Sequence, residues 1–282
     1  MFKDMLRLIR AEQWYKNLII FTALFFSFKF LDFSSVFHTF LGFTAFCLIS
    51  SAMYIINDLN DIEEDKKHKE KKNRPLASGK ISVFTAIAVF LILIILTAIL
   101  SFSISEYFIV FPLLLFLNTL LYTLYFKKIT IIDIESISVN YVLRAVSGAM
   151  IINVRISLWF VIFVFILALF LVSGKRKSDL SALDTKKKVY ETYNEKFLEY
   201  LIIILGCSII LFYSLYTFMA HPDSYLFLTI PIVIFLTLRF LFFVSVNDIK
   251  SRRAELLFKD LQFFIGLVIW VIATAISLYL SQ

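Results

Sequence analysis

Cysteine, glycine and histidine are scarce in this sequence. Its 282 residues include two cysteines, Cys47 and Cys207, both inside apolar runs, where we expect packing roles rather than a disulfide or a thiol-bound metal. There are six glycines, and the three histidines form no obvious catalytic pair. The composition therefore argues against a disulfide framework, a cysteine metal site and a histidine pair as the basis of function.

Apolar residues are abundant instead: they make up 60% of the chain, and 33 residues are phenylalanine. A helix needs ~20 apolar residues to cross a bilayer. The predicted spans cover approximately residues 15–33, 35–56, 82–102, 106–126, 130–152, 157–173, 197–219, 224–246 and 261–280. We expect no cleaved signal peptide, because no small-residue cleavage site follows the first run, and we see no linker. The sequence therefore predicts an all-α polytopic membrane protein, with about nine transmembrane helices in one bundle that forms a single domain over residues 1–282.

The basic residues, which leave a net charge of +7, indicate the orientation of the chain. Apart from Lys29, Arg144, Arg155 and Arg239, they all fall in segments on one side of the nine-span arrangement. By the positive-inside rule, that side is cytoplasmic. We expect an integral protein of the cell (cytoplasmic) membrane, with its N-terminus and active-site mouth in the cytoplasm. We attribute the positive charge to cytoplasmic loops and anionic lipid rather than to nucleic acid.

One stretch, residues 57–79, carries the densest chemistry and reads NDLNDIEEDKKHKEKKNRPLASG. If the apolar helix before it continues, one helix face presents Asn57, Asp58, Asp61 and Asp65. Carboxylates so close repel each other and need a cation among them. Oxygen ligands of this kind suit Mg²⁺, which binds through one or two carboxylates together with water and substrate phosphates.

A basic run follows these carboxylates at once and offers counter-charge to anionic oxygens that a metal leaves unbound. Its members are Lys66, Lys67, Lys69, Lys71, Lys72 and Arg74. His68 lies in the same run and is a candidate to assist near the metal. The alternative is a solvated charged loop between two membrane helices. That alternative explains the lysines but not the spacing of carboxylates at a membrane edge, where such groups are commonly functional.

The predicted span 130–152 is unusually polar, since it contains Asp133, Glu135, Asn140 and Arg144. Such side chains are costly against lipid and must face protein or water. Asn140 and Arg144 share a helix face, and two interpretations stay open. They are either a buried pair that fixes helix packing or a cationic wall for an anionic substrate.

Polar residues also flank two other spans. Lys16 and Asn17 begin the first span, and Tyr122 and Lys127 end the fourth. An interface anchor or an aromatic belt is a sufficient alternative explanation for either pair.

A second charged loop follows the sixth span and begins SGKRKSDLSALD. Its residues Lys175, Arg176 and Asp179 are suited to hold phosphate with less metal than the first loop. Further along, we interpret Lys186 to Lys188 as a solvated or lipid-facing patch.

Together these stretches resemble the UbiA superfamily of intramembrane prenyltransferases, in which a motif like that at residues 57–65 binds Mg²⁺ and a diphosphate. Two departures point to one branch, the decaprenyl-phosphate phosphoribosyltransferases. The second loop has Asp179 and then Asp184 in place of an aspartate-rich DxxxD-type motif, and Tyr122 lies one residue further from Lys127 than in the YxxxK of family prenyltransferases. The stretches similar to that branch are QWYKN at 13–17, NDxxDxxxDxxH with NRPLASG at 57–79, YTLYFKK at 122–128, YVLRAVSGA at 141–149, SGKR at 173–176 and AELLFKD at 254–260.

The resemblance implies a Mg²⁺-dependent membrane transferase that moves 5-phosphoribose from phosphoribosyl pyrophosphate (PRPP) to a polyprenyl phosphate and releases diphosphate. Asp58, Asp61 and Asp65 would be catalytic metal ligands, assisted by Asn57. The implied substrate-binding residues are Lys16, Asn17, Asn57, Arg74, Tyr122, Lys127, Asn140, Arg144, Lys175, Arg176 and Asp179. The nucleophile would be the lipid phosphate, which is already ionised, so no general base is required. The implied partners are the lipid, PRPP and the membrane, without nucleic acid, and a homo-oligomer is compatible with them.

Two other functions stay open at this point. The first is ordinary prenyl transfer from a polyprenyl diphosphate to an aromatic or lipid acceptor, which uses the same acidic motif. Two metal-binding aspartates in the second loop would favour it, whereas GKR favours phosphoribosyl transfer. The second is a transporter or non-catalytic membrane protein, against which we weigh the lack of an internal repeat and the position of the acidic motif at the membrane edge.

Overall fold

The computed structural model describes residues 2–67, 71–181 and 193–281, and this part of the chain is helical without any strand. Its α-helices are α1 Phe2–Leu8, α2 Thr22–Phe26, α3 Phe33–Asn60, α4 Ile62–Lys67, α5 Val83–Ile104, α6 Val110–Leu124, α7 Ile132–Ile151, α8 Leu158–Ser181, α9 Glu195–Ala220, α10 Ile230–Ser245, α11 Ile249–Arg252 and α12 Leu261–Tyr279. Short 3-10 helices cover Ala11–Phe21, Lys29–Leu31, Lys71–Asn73, Phe126–Lys128, Tyr225–Thr229 and Ala254–Lys259. The predicted all-α class is confirmed. The sequence-based predictions for His68, Lys69, Asp184 and Lys186 to Lys188 lie outside the described residues.

Within the described residues, six helical segments are long and apolar enough to cross a membrane. They are Phe33–Asn60, Val83–Ile104, Leu158–Leu180, Glu195–Ala220, Tyr225–Ser245 and Leu261–Tyr279. On α5 the exposed apolar side chains include Phe84, Ile87, Leu91, Ile95 and Phe102, whose spacing of three to seven residues forms one stripe suited to lipid. The chain is thus an integral membrane protein. The predicted count of nine spans is not confirmed, since α6 is shorter and α7 carries several polar residues.

The predicted first span, 15–33, is not one continuous α-helix. Arg10 and Phe28 have φ angles of 47° and 59°, in the left-handed region that interrupts a helical path. Between them the chain forms the 3-10 helix Ala11–Phe21 and then the short helix α2. A Cβ atom on Gly148 of α7 would lie 2.0 Å from the carbonyl oxygen of Ile20. Glycine therefore lets the 3-10 segment pack directly on the helix backbone.

The described residues group into two compact units: residues 1–124 with 143–154, and residues 125–142 with 155–282. In the first unit, a core beneath the charged loop contains Leu8, Ala52, Ile55, Leu76, Ile81, Ala86 and Leu93. In the second, Phe170 packs against Phe240 with ring centroids 5.0 Å apart, and the indole of Trp270 donates a hydrogen bond of 2.9 Å to the hydroxyl of Tyr213. That the whole chain forms one domain stays a prediction.

Candidate functional site

The acidic motif lies where α3 ends. The helix was expected to continue through Asp65, but it ends at Asn60, and Asp61 has φ −103° and ψ 11°. The side chains of Asn57 and Asn60 both donate hydrogen bonds to the Asp61 carboxylate, at 3.3 and 2.7 Å. Such local side-chain bonds compete with helix continuation. After this break α4 begins, and the backbone N–H of Asp65 donates to the carbonyl oxygen of Asp61 at 2.8 Å.

Two of the motif's carboxylates converge on one guanidinium nitrogen. Asp58 and Asp65 are each only 2% exposed. Nη1 of Arg74 donates to Oδ1 of Asp58 at 3.0 Å and to Oδ2 of Asp65 at 2.6 Å. Nζ of Lys71 lies 3.7 Å from Oδ1 of Asp65. The expectation that a cation sits among these carboxylates is thus met by side chains of the basic run.

A second guanidinium group, from Arg10, also contacts Asp58. Its Nη2 donates to Oδ1, the same oxygen that Arg74 contacts. The guanidinium carbon of Arg10 lies 4.7 Å from the ring centroid of Tyr54, a cation–π contact that holds the group beside the ring. Asp58 is therefore held between cations from two separate segments of the chain.

The loop that carries Arg74 is anchored by its own apolar residues. Pro75 and Leu76 are buried, and Leu76 joins Ile81 in the core beneath the loop. The backbone closes with hydrogen bonds from Arg74 N to Lys71 O at 2.9 Å and from Ile81 N to Pro75 O at 3.2 Å. This packing explains how a loop rich in lysine holds one arginine at a fixed place beside the helix end.

The chemistry of the donors fits a magnesium ion with a diphosphate. Asp58 and Asp65 already reach one cationic point, and Mg²⁺ takes one or two carboxylates and completes its shell with water and phosphate oxygens. Within the described ranges, no three His, Cys, Asp or Glu side chains gather as a complete metal site. A metal held by Asp58 and Asp65 would take further ligands from water and substrate oxygens. The assignment of Asn57 and Asp61 as ligands stays a prediction.

A buried polar network in the first unit joins residues singled out from the sequence. Asn17 is 1% and Arg144 8% exposed, and Nε of Arg144 donates to Oδ1 of Asn17 at 2.5 Å. Nη2 of Arg144 donates to the hydroxyl of Ser50 at 3.2 Å, and the amide of Asn17 donates to Sγ of Cys47 at 3.3 Å. Arg144 is thus bound by residues of α3 and the first 3-10 helix, and both interpretations of Asn140 and Arg144 stay predictions.

In the second unit, Arg176 forms an ion pair in a buried setting. Its Nη2 lies 2.6 Å from Oδ2 of Asp133, a charge contact rather than an aligned hydrogen bond. The hydroxyl of Tyr193 donates to the other oxygen of Asp133 at 2.5 Å and accepts from the backbone N–H of Ile131 at 2.9 Å. Burial, and then the hydrogen bond to Asp133, raise the pKa of Tyr193. Asp133 is fully buried, so this pair is strongly desolvated.

The neighbours of Arg176 also bind other segments of the second unit. Nζ of Lys177 lies 2.9 Å from Oε1 of Glu199, and Nε of Arg252 donates to Oδ1 of Asp179 at 3.0 Å. The end of α8 is therefore connected to α7, α9 and α11 by charged side chains. Lys175, in the same motif, has an exposed side chain.

The remaining residues singled out from the sequence are partly buried. Lys16 has its Nζ 6.0 Å from the ring centroid of Tyr15, Tyr122 lies on α6, Lys127 lies in a 3-10 helix, and Asn140 lies on α7. Their roles in substrate binding stay predictions.

Sequence reasoning missed several residues that the structure places beside the motif residues. Arg10 was visible only as one of many basic residues near the N-terminus, and nothing in the spacing connected it with Asp58. Tyr193 and Arg252 are separated from their partners by 60 and 73 residues, so no local pattern reveals the pairs. Tyr54 lies four residues before Asp58, and that helical spacing was a signal that could have found it.

The fold and this cluster define a class: a helical membrane protein with a carboxylate–guanidinium cluster at the end of an apolar span. A sequence model of the UbiA prenyltransferase family matches residues 18–268. The chain therefore belongs to the UbiA prenyltransferase family, as its motifs indicated.

The chain is also similar to individual relatives and to a solved structure. The uncharacterised protein y4nM of Sinorhizobium fredii is 34% identical over 174 residues, which are 62% of this chain and 34% of that protein, so the chain spans about a third of the length of y4nM. The decaprenyl-phosphate phosphoribosyltransferase of Corynebacterium glutamicum is 28% identical over 223 residues, 76% of this chain and 67% of the relative. The structure of a UbiA homologue from Archaeoglobus fulgidus bound to DMAPP and Mg²⁺ aligns over 97% of this chain and 98% of its own, with a TM-score of 0.76 at 20% identity. That likeness concerns the fold.

Proposed function

We propose that this family member is a Mg²⁺-dependent transferase that moves 5-phosphoribose from PRPP to a polyprenyl phosphate and releases diphosphate. The observation that carries the proposal is the convergence of Asp58 and Asp65 on one nitrogen of Arg74, at 3.0 and 2.6 Å. Buried carboxylates that share one cation at the end of an apolar helix suit a site for a metal and an anionic substrate.

The chain's own residues would act by binding and charge compensation. Asp58 and Asp65 would hold Mg²⁺, and Arg74 and Lys71 would donate hydrogen bonds to diphosphate oxygens. When bound, the metal would offset the negative charge that develops on the diphosphate as its bond to the sugar breaks. The acceptor phosphate is already ionised, so the site requires no base to remove a proton.

Two findings favour PRPP as the donor over a prenyl diphosphate. The relative from Corynebacterium glutamicum, which aligns with 76% of this chain, is named decaprenyl-phosphate phosphoribosyltransferase. In the second unit, Asp179 accepts a hydrogen bond of 3.0 Å from Nε of Arg252, so a cationic side chain already compensates its charge. A prenyl diphosphate has phosphates at one end only, whereas PRPP has a second phosphate one ribose away. The sequence offers Lys175, in its second charged stretch, as a candidate to bind that second phosphate.

The test offers the purified protein labelled PRPP or labelled polyprenyl diphosphate, each with Mg²⁺ and candidate acceptors. We expect the label of PRPP to enter the lipid fraction with release of pyrophosphate. Transfer of a prenyl label without use of PRPP would instead support the second candidate, prenyl transfer to an aromatic or lipid acceptor, which the family model favours. Asp65→Asn should abolish either reaction, and Glu64→Gln, at an exposed neighbouring carboxylate, is the matched control. The site should open to the cytoplasm, as the distribution of basic residues predicts.

A further inference from the structure

The N-terminal segment contacts one continuous face of α3. The residues Ser51, Tyr54 and Asp58 lie three and four positions apart and therefore share that face. The segment touches all three of them: the hydroxyl of Ser51 donates to the carbonyl oxygen of Ile9 at 2.7 Å, and the guanidinium of Arg10 contacts the Tyr54 ring and the Asp58 carboxylate. The contacted residues therefore form a row along α3 that ends at Asp58 in the acidic motif.

Arg10 is fixed in this row from both sides. Its backbone is left-handed, with φ 47° and ψ 50°, a conformation that persists in a non-glycine residue only where the surroundings enforce it. On one side Ile9 is held by Ser51, and on the other the indole of Trp14 donates to the same Ser51 hydroxyl at 3.0 Å. The cation–π contact with Tyr54 adds a third point at which Arg10 is held.

Arg74, in contrast, is shared between two carboxylates. It binds Asp58 and Asp65 through one nitrogen, so a metal taken up between these carboxylates would compete with it. Arg10 contacts Asp58 from the helix-bound segment and does not depend on Asp65. A bound metal would therefore displace Arg74 from the carboxylates, whereas Arg10 would stay in contact with Asp58.

We propose that Arg10 is a positioning residue of the diphosphate site, a role that rests on the proposed binding of a diphosphate at the acidic motif. It orients the Asp58 carboxylate and keeps one positive charge beside it after Arg74 turns to the substrate. Charged partners of metal ligands fix ligand orientation, and their loss typically weakens binding about 10- to 100-fold.

The probe should be Mg²⁺ together with inorganic pyrophosphate. Loss of Arg10 removes a charge that repels Mg²⁺, so for the metal alone this gain and the lost orientation of Asp58 oppose each other. The complex of Mg²⁺ with pyrophosphate is negatively charged and loses from both effects. Pyrophosphate also lacks both the ribose and the prenyl group, so its binding does not depend on which donor the enzyme uses.

The experiment compares the wild type with Arg10→Gln, Arg10→Lys and Arg7→Gln in purified protein. Arg7 is the matched control, because its exposed side chain lies one turn earlier in the same segment. We measure the pyrophosphate concentration that gives half of the thermal stabilisation at fixed Mg²⁺, and the KM and kcat for the donor. Arg10→Gln should raise the half-stabilising pyrophosphate concentration and the KM about 10-fold or more, with a smaller change in kcat. Arg10→Lys should restore part of the loss, and Arg7→Gln should match the wild type.

Tyr54→Leu separates the orientation of Arg10 from its charge, because it keeps the charge but removes the ring beside the guanidinium. It should weaken pyrophosphate binding in the same direction by a smaller factor. Pyrophosphate binding by Arg10→Gln equal to that of the wild type would overturn the proposal, as would an equal loss in Arg7→Gln. A wild type that Mg²⁺ and pyrophosphate fail to stabilise would instead refute the diphosphate site itself.

Discussion

Neutralising Arg176 should destabilise the second unit, whether or not Arg176 also binds substrate. The guanidinium is 7% exposed and lies 2.6 Å from the fully buried carboxylate of Asp133. Removing one member of a buried pair leaves an uncompensated charge and costs about 3–5 kcal/mol. Because Tyr193 still donates to Asp133, we place Arg176→Gln at the lower end, about 3 kcal/mol, which corresponds to a fall of roughly 6–12 °C in Tm.

A double-mutant cycle isolates this interaction from any contact of Arg176 with substrate. Asp133→Asn combined with Arg176→Gln replaces the ion pair by two neutral amides, and the double variant should recover at least half of the lost stability. The assay is thermal unfolding of the purified protein in detergent, followed by the KM for PRPP at a temperature where every variant is folded. If Arg176 also binds donor phosphate, the double variant regains stability while its KM stays high.

The reasoning is refuted if Arg176→Gln unfolds at the temperature of the wild type. It is also refuted if the two single changes are additive, since residues in direct contact must show a coupling energy. Lys175→Gln serves as the control, because the side chain of Lys175 is exposed and a change there should leave Tm within a few degrees of the wild type.

Three further outcomes are expected. Asp65→Asn should lower turnover more than ~100-fold, measured as pyrophosphate release, because it removes a buried charge beside the reacting diphosphate; near-normal activity would reject its assignment to the metal. Gly148→Ala should lower the unfolding temperature through overpacking of about 1–3 kcal/mol, because its Cβ would lie 2.0 Å from the Ile20 carbonyl oxygen, and an unchanged Tm would contradict that close approach. A cysteine at position 80, where Lys80 is exposed at the end of the charged loop, should react with an impermeant thiol reagent from the cytoplasmic side, and labelling from outside alone would reverse the orientation.

The sequence was sufficient for properties that depend on composition and local spacing. The long apolar runs predicted membrane helices such as α5, and the spacing of Asp58 and Asp65 predicted carboxylates close enough to need a cation. The confirmed family follows from the same motif. Each of these depends on residues that lie along one continuous stretch of the chain.

Properties that depend on distant partners or on local breaks could not be predicted. The end of α3 at Asn60 coincides with amide side chains that bind Asp61, and the first predicted span is interrupted at Phe28, whose backbone is left-handed. The ion pair between Arg176 and Asp133 was not predicted, because the two residues lie 43 positions apart in the sequence. Hydrophobicity and helix spacing contain no information on such pairs.

The charge balance at the end of α3 affects how the stability of the protein responds to the loss of Mg²⁺. Asp58 and Asp65 obtain their counter-charge from Arg10, Lys71 and Arg74, so their burial does not depend on an added ion. Small zinc domains are the opposite case, since they unfold when a chelator removes their metal. Here a chelator should stop turnover while the melting temperature stays within a few degrees, and returning Mg²⁺ should restore activity without refolding. The folded protein should therefore persist in the membrane through a magnesium shortage.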